Sequence, residues 1–285
     1  MFRPFSANGM RNLSIEGLLT PRSPTKGGAM RAAFSLVELS IVLVILGLLT
    51  GGILAGQSLI RAAELRAIPT EYDRWVAATQ VFRDRYMALP GDMRNATAFW
   101  GFVAGNASDN YTTSCNTTPS TDMRTCNGNG DGKSEASIEG FRFWQHLANA
   151  GLAEGNFTGM DDGGFSVIGK NIPASKFGGG SGWQRHYISS PYAGTTHTFA
   201  GKYGSLFVFG KPSPSDYSLR SGVLGAQELW NIDTKMDDGR PATGNVRAYN
   251  YGPPCTDTAA DPTNMNAQYQ LDSNTRACAA YFIDR

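Results

Sequence analysis

A single carboxylate stands inside the longest apolar stretch of this 285-residue chain. Residues 33–60 read AFSLVELSIVLVILGLLTGGILAGQSLI, and Glu38 carries the one charged side chain among them. At a rise of about 1.5 Å per residue, a helix of this length crosses the hydrocarbon core of a bilayer. A carboxylate near hydrocarbon is costly unless it is paired or neutralised, so the pattern predicts a functional role for Glu38.

A loop rich in asparagine and glycine, residues 127–135, is the second candidate site. Its alternating oxygen side chains, followed by Gly132, match the first half of an EF-hand calcium loop. The twelfth loop position is Ile138, whereas the nearest acid is Glu139. The pattern predicts a structural Ca²⁺, and the alternative is an Asn/Gly-rich turn without metal. The predicted ligands are Asn127, Asn129, Asp131 and Glu135.

All four cysteines follow the apolar stretch and form two local pairs. We predict the disulfides Cys115–Cys126 and Cys255–Cys278, because each closes a short loop at modest entropic cost. An even number of cysteines beyond a membrane helix indicates an oxidising compartment. The spacing of a zinc site, with C-x-x-C or neighbouring histidines, is absent from the sequence.

The sequence contains no recognisable catalytic constellation. A Gly-x-Ser-x-Gly elbow is missing, and His146, His186 and His197 lie in segments without an evident Ser or Cys partner. We therefore predict that the chain is not an enzyme. The structural Ca²⁺ is the one cofactor that the sequence suggests. Its net charge of +1 points to no nucleic-acid partner.

The motif FSLVELSIVLVILGLL, preceded by a small residue and a basic segment, resembles the class III signal of type IV prepilins and type II secretion pseudopilins. The resemblance implies cleavage between Ala33 and Phe34, N-methylation of Phe34, and retention of Glu38 as the assembly carboxylate. In a filament, the new amine of one subunit would pair with the Glu38 carboxylate of a neighbour. One position departs from the family, which usually has Gly where this chain has Ala33. A plain signal anchor, with Glu38 at the lipid headgroups, is the alternative.

The resemblance also implies partners and a location. The partners would be a prepilin peptidase, other pilin or pseudopilin subunits, and the bacterial inner membrane. Five basic residues against one acid in residues 1–33 predict that the N-terminus lies in the cytoplasm and the head, residues 90–285, in the periplasm. A type IV pilus, a type II secretion pseudopilus and a DNA-uptake filament stay open, with a minor or specialised subunit favoured. The rival function is a membrane-anchored binding module or adhesin outside any filament.

The helix that carries Glu38 is predicted to continue beyond the apolar stretch. After residue 60, apolar side chains recur at spacings of three and four residues, which predicts one buried helix face. Glu71 falls on the opposite, solvent-facing side of this pattern, and Pro69 is predicted to kink or break the helix. The buried stripe comprises Leu65, Ile68, Tyr72, Trp75, Thr79, Phe82 and Tyr86.

The expected fold class is α+β and pilin-like, with the helix packed on a β-rich, loop-rich head. The predicted organisation is a leader over 1–33, a transmembrane and assembly helix over 34–60, its amphipathic half over 61–89, and a head over 90–285. Within the head, a buried helix follows residue 138 and a second one spans 229–236. Strands are predicted at 165–168, 186–188 and 205–209, in an antiparallel meander, and two further strands at 246–249 and near 279–283.

Overall fold

The computed structural model describes residues 35–103, 115, 119–120, 122–135, 138–160, 163, 165–215, 217–249, 252–258 and 261–284. The predicted leader, the predicted cleavage site at Ala33 and the predicted methylation site at Phe34 lie outside these residues. The chain divides into two units, Met1–Ile53 and Leu54–Arg285.

Helix α1 spans Leu36–Tyr86 and contains 51 residues. It is the one helix among the described residues that is long and apolar enough to cross a membrane. α1 continues through Pro69, so the predicted break at that residue is absent. The neighbouring Ile68 and Tyr72 lie in the core, and tertiary packing of this kind outweighs the loss of one helical hydrogen bond.

The predicted stripe of α1 is confirmed, because its members are buried in the head or packed against its core. Tyr72 marks the contact with the sheet: its ring lies 5.2 Å from that of Phe282, and its hydroxyl donates to the carbonyl oxygen of Ile283 at 3.1 Å. The prediction for Glu71 is wrong. This carboxylate is buried beside the stripe, where hydrogen-bond donors of the head replace water.

Five strands form an antiparallel sheet: β1 (Gly182–Ile188), β2 (Gly204–Gly210), β3 (Leu224–Gly225), β4 (Val246–Tyr249) and β5 (Arg276–Ile283). β1 pairs with β2, as a meander requires. β5 then pairs with β2, β3 and β4, so the last strand of the chain lies inside the sheet. β5 is buried from Cys278 to Ile283, as expected for an inner strand covered on both faces.

Further helices among the described residues are α2 (Ala96–Trp100), α3 (Glu139–Asn149) and α4 (Ala226–Met236). α3 packs between α1 and the sheet, with the Trp144 ring 4.9 Å from that of Trp75 and the Phe143 ring 5.7 Å from that of Phe207. Both predicted head helices are confirmed. The predicted strand at 165–168 is absent, since only Ile168 forms an isolated β-bridge.

An ion pair joins α1 to α4 near the start of the second unit. Arg61 donates from Nε to Oε1 of Glu228 at 2.6 Å and from Nη2 to Oε2 at 2.7 Å. The guanidinium also lies 4.3 Å from the centre of the Phe177 ring. Both charged side chains are about one-fifth exposed, so solvent screens the pair only in part.

We expect Arg61→Ala to lower the free energy of unfolding by about 1 to 2 kcal/mol, because the bidentate pair and the stacking on Phe177 are both lost. Arg66→Ala, which removes an exposed arginine of the same helix, is the control and should change stability by less than about 0.5 kcal/mol. Chemical unfolding of the full-length chain in detergent micelles measures both. Equal effects of the two variants would contradict a stabilising role for the pair.

Candidate functional site

Glu38 lies in the first turn of α1, within an otherwise uncharged apolar surface. The backbone N–H of Ser35 donates to its Oε2 at 2.9 Å, so the carboxylate caps the start of its own helix. The large apolar side chains from Leu36 to Ile53 are each at least half exposed. An exposed apolar surface of this extent indicates contact with a membrane or with other protein.

Both predicted disulfides are present in the structure. Cys115 and Cys126 have Cα atoms 6.2 Å apart, and Cys255 and Cys278 have Cα atoms 5.2 Å apart. The second bond joins the loop at 252–258 to the inner strand β5. The second bond therefore holds an irregular segment of the head against the sheet.

The four predicted calcium ligands make different contacts in the structure. The Oδ1 atom of Asn127 accepts hydrogen bonds from the backbone N–H and the hydroxyl of Thr97, which places it at α2. Oδ1 of Asn129 accepts from the backbone N–H of Asp131 at 2.8 Å, and Glu135 is exposed. Asp131 is the predicted ligand that joins other carboxylates.

Three carboxylates form a cluster that we call the acidic triad: Asp92, Asp131 and Glu139. One oxygen from each lies within 4.8 Å of the others. Asp92 follows α1, Asp131 belongs to the Asn/Gly loop, and Glu139 is the first residue of α3. Asp92 and Glu139 are only 4% and 1% exposed, whereas Asp131 is exposed and pairs with Lys133 at 3.2 Å.

Backbone amides surround the acidic triad. Asp92 accepts from the N–H of Asp131 at 3.0 Å and from that of Gly132 at 2.8 Å. Oε1 of Glu139 accepts from the N–H of Asn129 at 3.1 Å, while Oε2 of Glu139 has no hydrogen-bond partner among the described residues. Burial raises the pKa of Glu139 to about 7, and it also raises the pKa of Asp92. The amides of Asn129 and Glu135 oppose the shift at Glu139, and the negative charge of Asp92 adds to it.

The turn after α1 is anchored on α3 by a buried histidine. The N–H of Gly91 donates to Nδ1 of His146 at 2.9 Å, so Nε2 carries the ring proton and faces Oγ1 of Thr125 at 3.0 Å. Burial lowers the pKa of His146 to about 3, which keeps the ring neutral. Gly91 has φ +83°, and a side chain there would strike the backbone of Glu139. Glycine at this position therefore lets Asp92 reach the N-terminus of α3.

The Asn/Gly loop packs against the same turn. The N–H of Gly128 donates to the carbonyl oxygen of Met93 at 2.8 Å, and a Cβ at Gly128 would strike the backbone of Asp92. Arg94 holds the loop from outside, donating from Nε to the carbonyl oxygen of Asn129 at 2.7 Å. Close backbone packing thus places Asp131 next to Asp92.

A second acidic cluster lies at the end of α4 and comprises Asp233, Asp237 and Asp238. Every carboxylate oxygen in it accepts a hydrogen bond, from Gly239 and Tyr269 at Asp233 and from nearby backbone and side-chain groups at the other two residues. These bonds close the turn between α4 and β4. The arrangement is that of a helix end stabilised by its own carboxylates.

Sequence reasoning missed Asp92 as a member of the acidic triad. It noted Glu139 only as an acid one position out of register. Asp92 follows the breaker Leu89-Pro90-Gly91, and no periodic pattern links it to a loop nearly forty residues later. Two signals were available: an acid directly after a helix-ending Pro-Gly, and an acid at the first position of a predicted helix.

Comparison with known proteins adds no relative: no protein-family model, no curated protein and no solved structure matches this chain at a significant level.

Proposed function

We propose that this chain is a prepilin-like structural subunit. A prepilin peptidase cuts it between Ala33 and Phe34 and methylates Phe34, and α1 then packs beside the helices of other subunits. The product is a minor or specialised subunit of a type IV pilus or a type II secretion pseudopilus, with its head in the periplasm or at the cell surface. The proposal assigns it no catalytic activity.

The observation that carries the proposal is the lone Glu38 near the start of an exposed apolar helix. A simple anchor gains nothing from a carboxylate at this depth, because the charge only adds to the cost of insertion. In a bundle of such helices, the N-terminal amine of a neighbour offsets that cost and favours one axial register. The α+β head on the second half of α1 is consistent with a pilin-like layout.

We expect Glu38→Ala to enter the membrane and to be cleaved like the wild type. Its amount in sheared filaments should fall by at least about tenfold, because losing about 1.4 kcal/mol per subunit contact already has that effect. The matched control is Ser40→Ala, which replaces an uncharged polar residue in the same turn of the helix. This variant should assemble normally. Immunoblots of membrane and filament fractions, with mass spectrometry of the N-terminus, give the readout.

Normal assembly of Glu38→Ala would refute the role given to this carboxylate. A native product that keeps residues 1–33 and an unmodified Phe34 would instead favour the membrane-anchored binding module.

A further inference from the structure

We propose that three exposed basic side chains around Arg61, those of Arg66, Lys211 and Arg276, bind the headgroups of anionic lipids. We call these three residues the basal patch. Through them, the head lies on the surface of the bilayer from which α1 emerges. The inference rests on one part of the proposed function, the insertion of α1 into a membrane, and it does not require filament assembly.

Arg61 marks the level of the membrane surface. No charged residue lies between Glu38 and Arg61, and as a helix this stretch measures about 35 Å, slightly more than the hydrocarbon core of about 30 Å. A basic residue at this boundary extends toward the lipid headgroups. Arg66 is exposed a little more than one turn further along α1, and helical side chains tilt toward the N-terminus, which here is the membrane side.

The sheet places Arg276 beside Arg61. Arg276 begins β5 and pairs with Gly225 of β3, whose N–H donates to Oε2 of Glu228 at 2.9 Å. Glu228 is the ion-pair partner of Arg61. Burial opposes the ionisation of Glu228, but the hydrogen bond and charge of Arg61, together with the charge of Arg276, lower its pKa. The guanidinium of Arg276 therefore acts on the same carboxylate as that of Arg61.

Lys211 lies at the same edge of the sheet. β2 and β5 are antiparallel with Phe209 opposite Ala280, so the end of β2 and the start of β5 meet at one edge. Lys211 directly follows β2. The rings of Phe209 and Phe177 lie 5.7 Å apart, and the Phe177 ring centre lies 4.3 Å from the Arg61 guanidinium. The end of β2 thus belongs to the part of the head that contacts Arg61.

The charges of the basal patch are not neutralised within the described part of the chain. All three residues are exposed, and none forms an ion pair with another described residue. The acids in contact with Arg61, which are Glu64 and Glu228, are already paired with it. Basic side chains beside a membrane helix attract anionic headgroups within about a Debye length. A surface of anionic lipid therefore complements this edge of the head.

The experiment places the full-length chain in lipid nanodiscs, made either of phosphatidylcholine alone or of equal parts phosphatidylcholine and phosphatidylglycerol. Neutral reagents modify exposed lysines by acetylation and exposed arginines with phenylglyoxal, and mass spectrometry gives the rate at each site. We expect the rates at the three residues of the basal patch to fall at least about threefold in the anionic discs. They should recover at about 1 M salt, where the Debye length is about 3 Å. Equal rates in both kinds of disc would overturn the proposal.

Lys202 and Arg240 are the matched internal controls. Both are exposed; Lys202 lies before β2, at the opposite end from Lys211, and Arg240 follows the far end of α4. Their rates should be the same in both kinds of disc. A fall at Lys202 equal to that at Lys211 would mean that the anionic surface shields the whole head, and it would overturn the assignment to the basal patch.

Lys211→Glu tests whether the basal patch acts as one surface. The reversed charge repels anionic headgroups, so we expect most of the modification rate at Arg276 to return in anionic discs. Lys202→Glu should leave the protection of Arg276 unchanged. Full protection of Arg276 in Lys211→Glu would contradict a shared lipid surface.

Flotation of the nanodiscs separates this inference from the proposed function. A chain that does not float with the discs has no membrane helix, and both proposals fail. A chain that floats and shows equal rates in both discs overturns this inference alone. Protection that rises with the number of chains per disc, and not with phosphatidylglycerol, would place a second copy of the chain on the basal patch and overturn the lipid assignment.

Discussion

Replacing Glu71 with alanine is expected to lower the free energy of unfolding by about 3 to 5 kcal/mol, because it leaves two buried donors and one partly buried donor without an acceptor. Glu71 is 4% exposed. Its carboxylate accepts from the hydroxyl of Ser175 at 2.6 Å, from the N–H of Lys176 at 2.7 Å and from Nε1 of Trp183 at 2.8 Å. The loss would loosen the contact between α1 and the segment that leads into β1.

Glu71→Gln tests the charge of the side chain while keeping its size and shape. The glutamine fills the same space, but its NH₂ group cannot accept a hydrogen bond, so we expect an intermediate loss of stability. Asp73→Ala removes an exposed carboxylate two residues along the same helix and should cost less than about 0.5 kcal/mol. Chemical unfolding in detergent micelles, followed by tryptophan fluorescence, measures all three variants. A loss at Glu71 no larger than that at Asp73 would contradict the buried network.

Glu71 also shows where helical periodicity stops being informative. The three-and-four spacing correctly identifies the buried stripe, since hydrophobic burial decides which face packs. The same rule places a carboxylate on the outer face. It cannot recognise a buried acid whose donors, Ser175, Lys176 and Trp183, lie about a hundred residues later.

The sheet shows the same division between local and distant signals. Residues 186–188, 205–209, 246–249 and 279–283 carry β-forming side chains, and all four are strands. The order of those strands depends on long-range pairing, and the insertion of β5 between β2 and β4 left no local signal. Residues 165–168 look similar in composition, but an Asn171 side chain that binds the backbone at Val167 and Phe165 holds them in a turn.

At the acidic triad, one member could be predicted and two could not. Asp131 belongs to a loop whose composition alone suggests a cation site. Asp92 joins it because glycine at 91 and 128 allows two backbones to pack closely, which is a property of the folded head. The side chain of Asn127 was a plausible ligand by spacing, yet it caps α2, a short helix that the sequence did not reveal.

The second prediction of large effect concerns Asp233, at the end of α4. Burial raises its pKa to about 7 from the ordinary 3.8; the hydroxyl of Tyr269 and the N–H of Gly239 oppose the shift, and the charges of Asp238 and Asp237 add to it. A carboxyl whose pKa is higher in the folded state stabilises the fold below its unfolded pKa, and that contribution is lost as the pH rises through 7.

Asp233→Asn removes this titration and can keep both hydrogen bonds, by accepting from Gly239 and donating to the oxygen of Tyr269. The variant should therefore gain stability over the wild type as the pH rises from 5 to 8, by about 2 to 3 kcal/mol over the roughly two pH units of titration. Chemical unfolding of the variant and the wild type at pH 5 and pH 8 measures this gain. The control is Asp272→Asn, at an exposed residue, which should show no such gain.

Comparing variants isolates Asp233 from the other buried titrating groups. Burial lowers the pKa of His146 to about 3 and that of His186 to about 4, so both histidines cost stability as the pH falls below about 6.5. Their contribution is common to the wild type and Asp233→Asn, and it cancels in the difference between them. A difference that stays constant from pH 5 to pH 8 would mean that Asp233 does not titrate in this range. The end of α4 would then hold the carboxylate ionised by its hydrogen bonds alone.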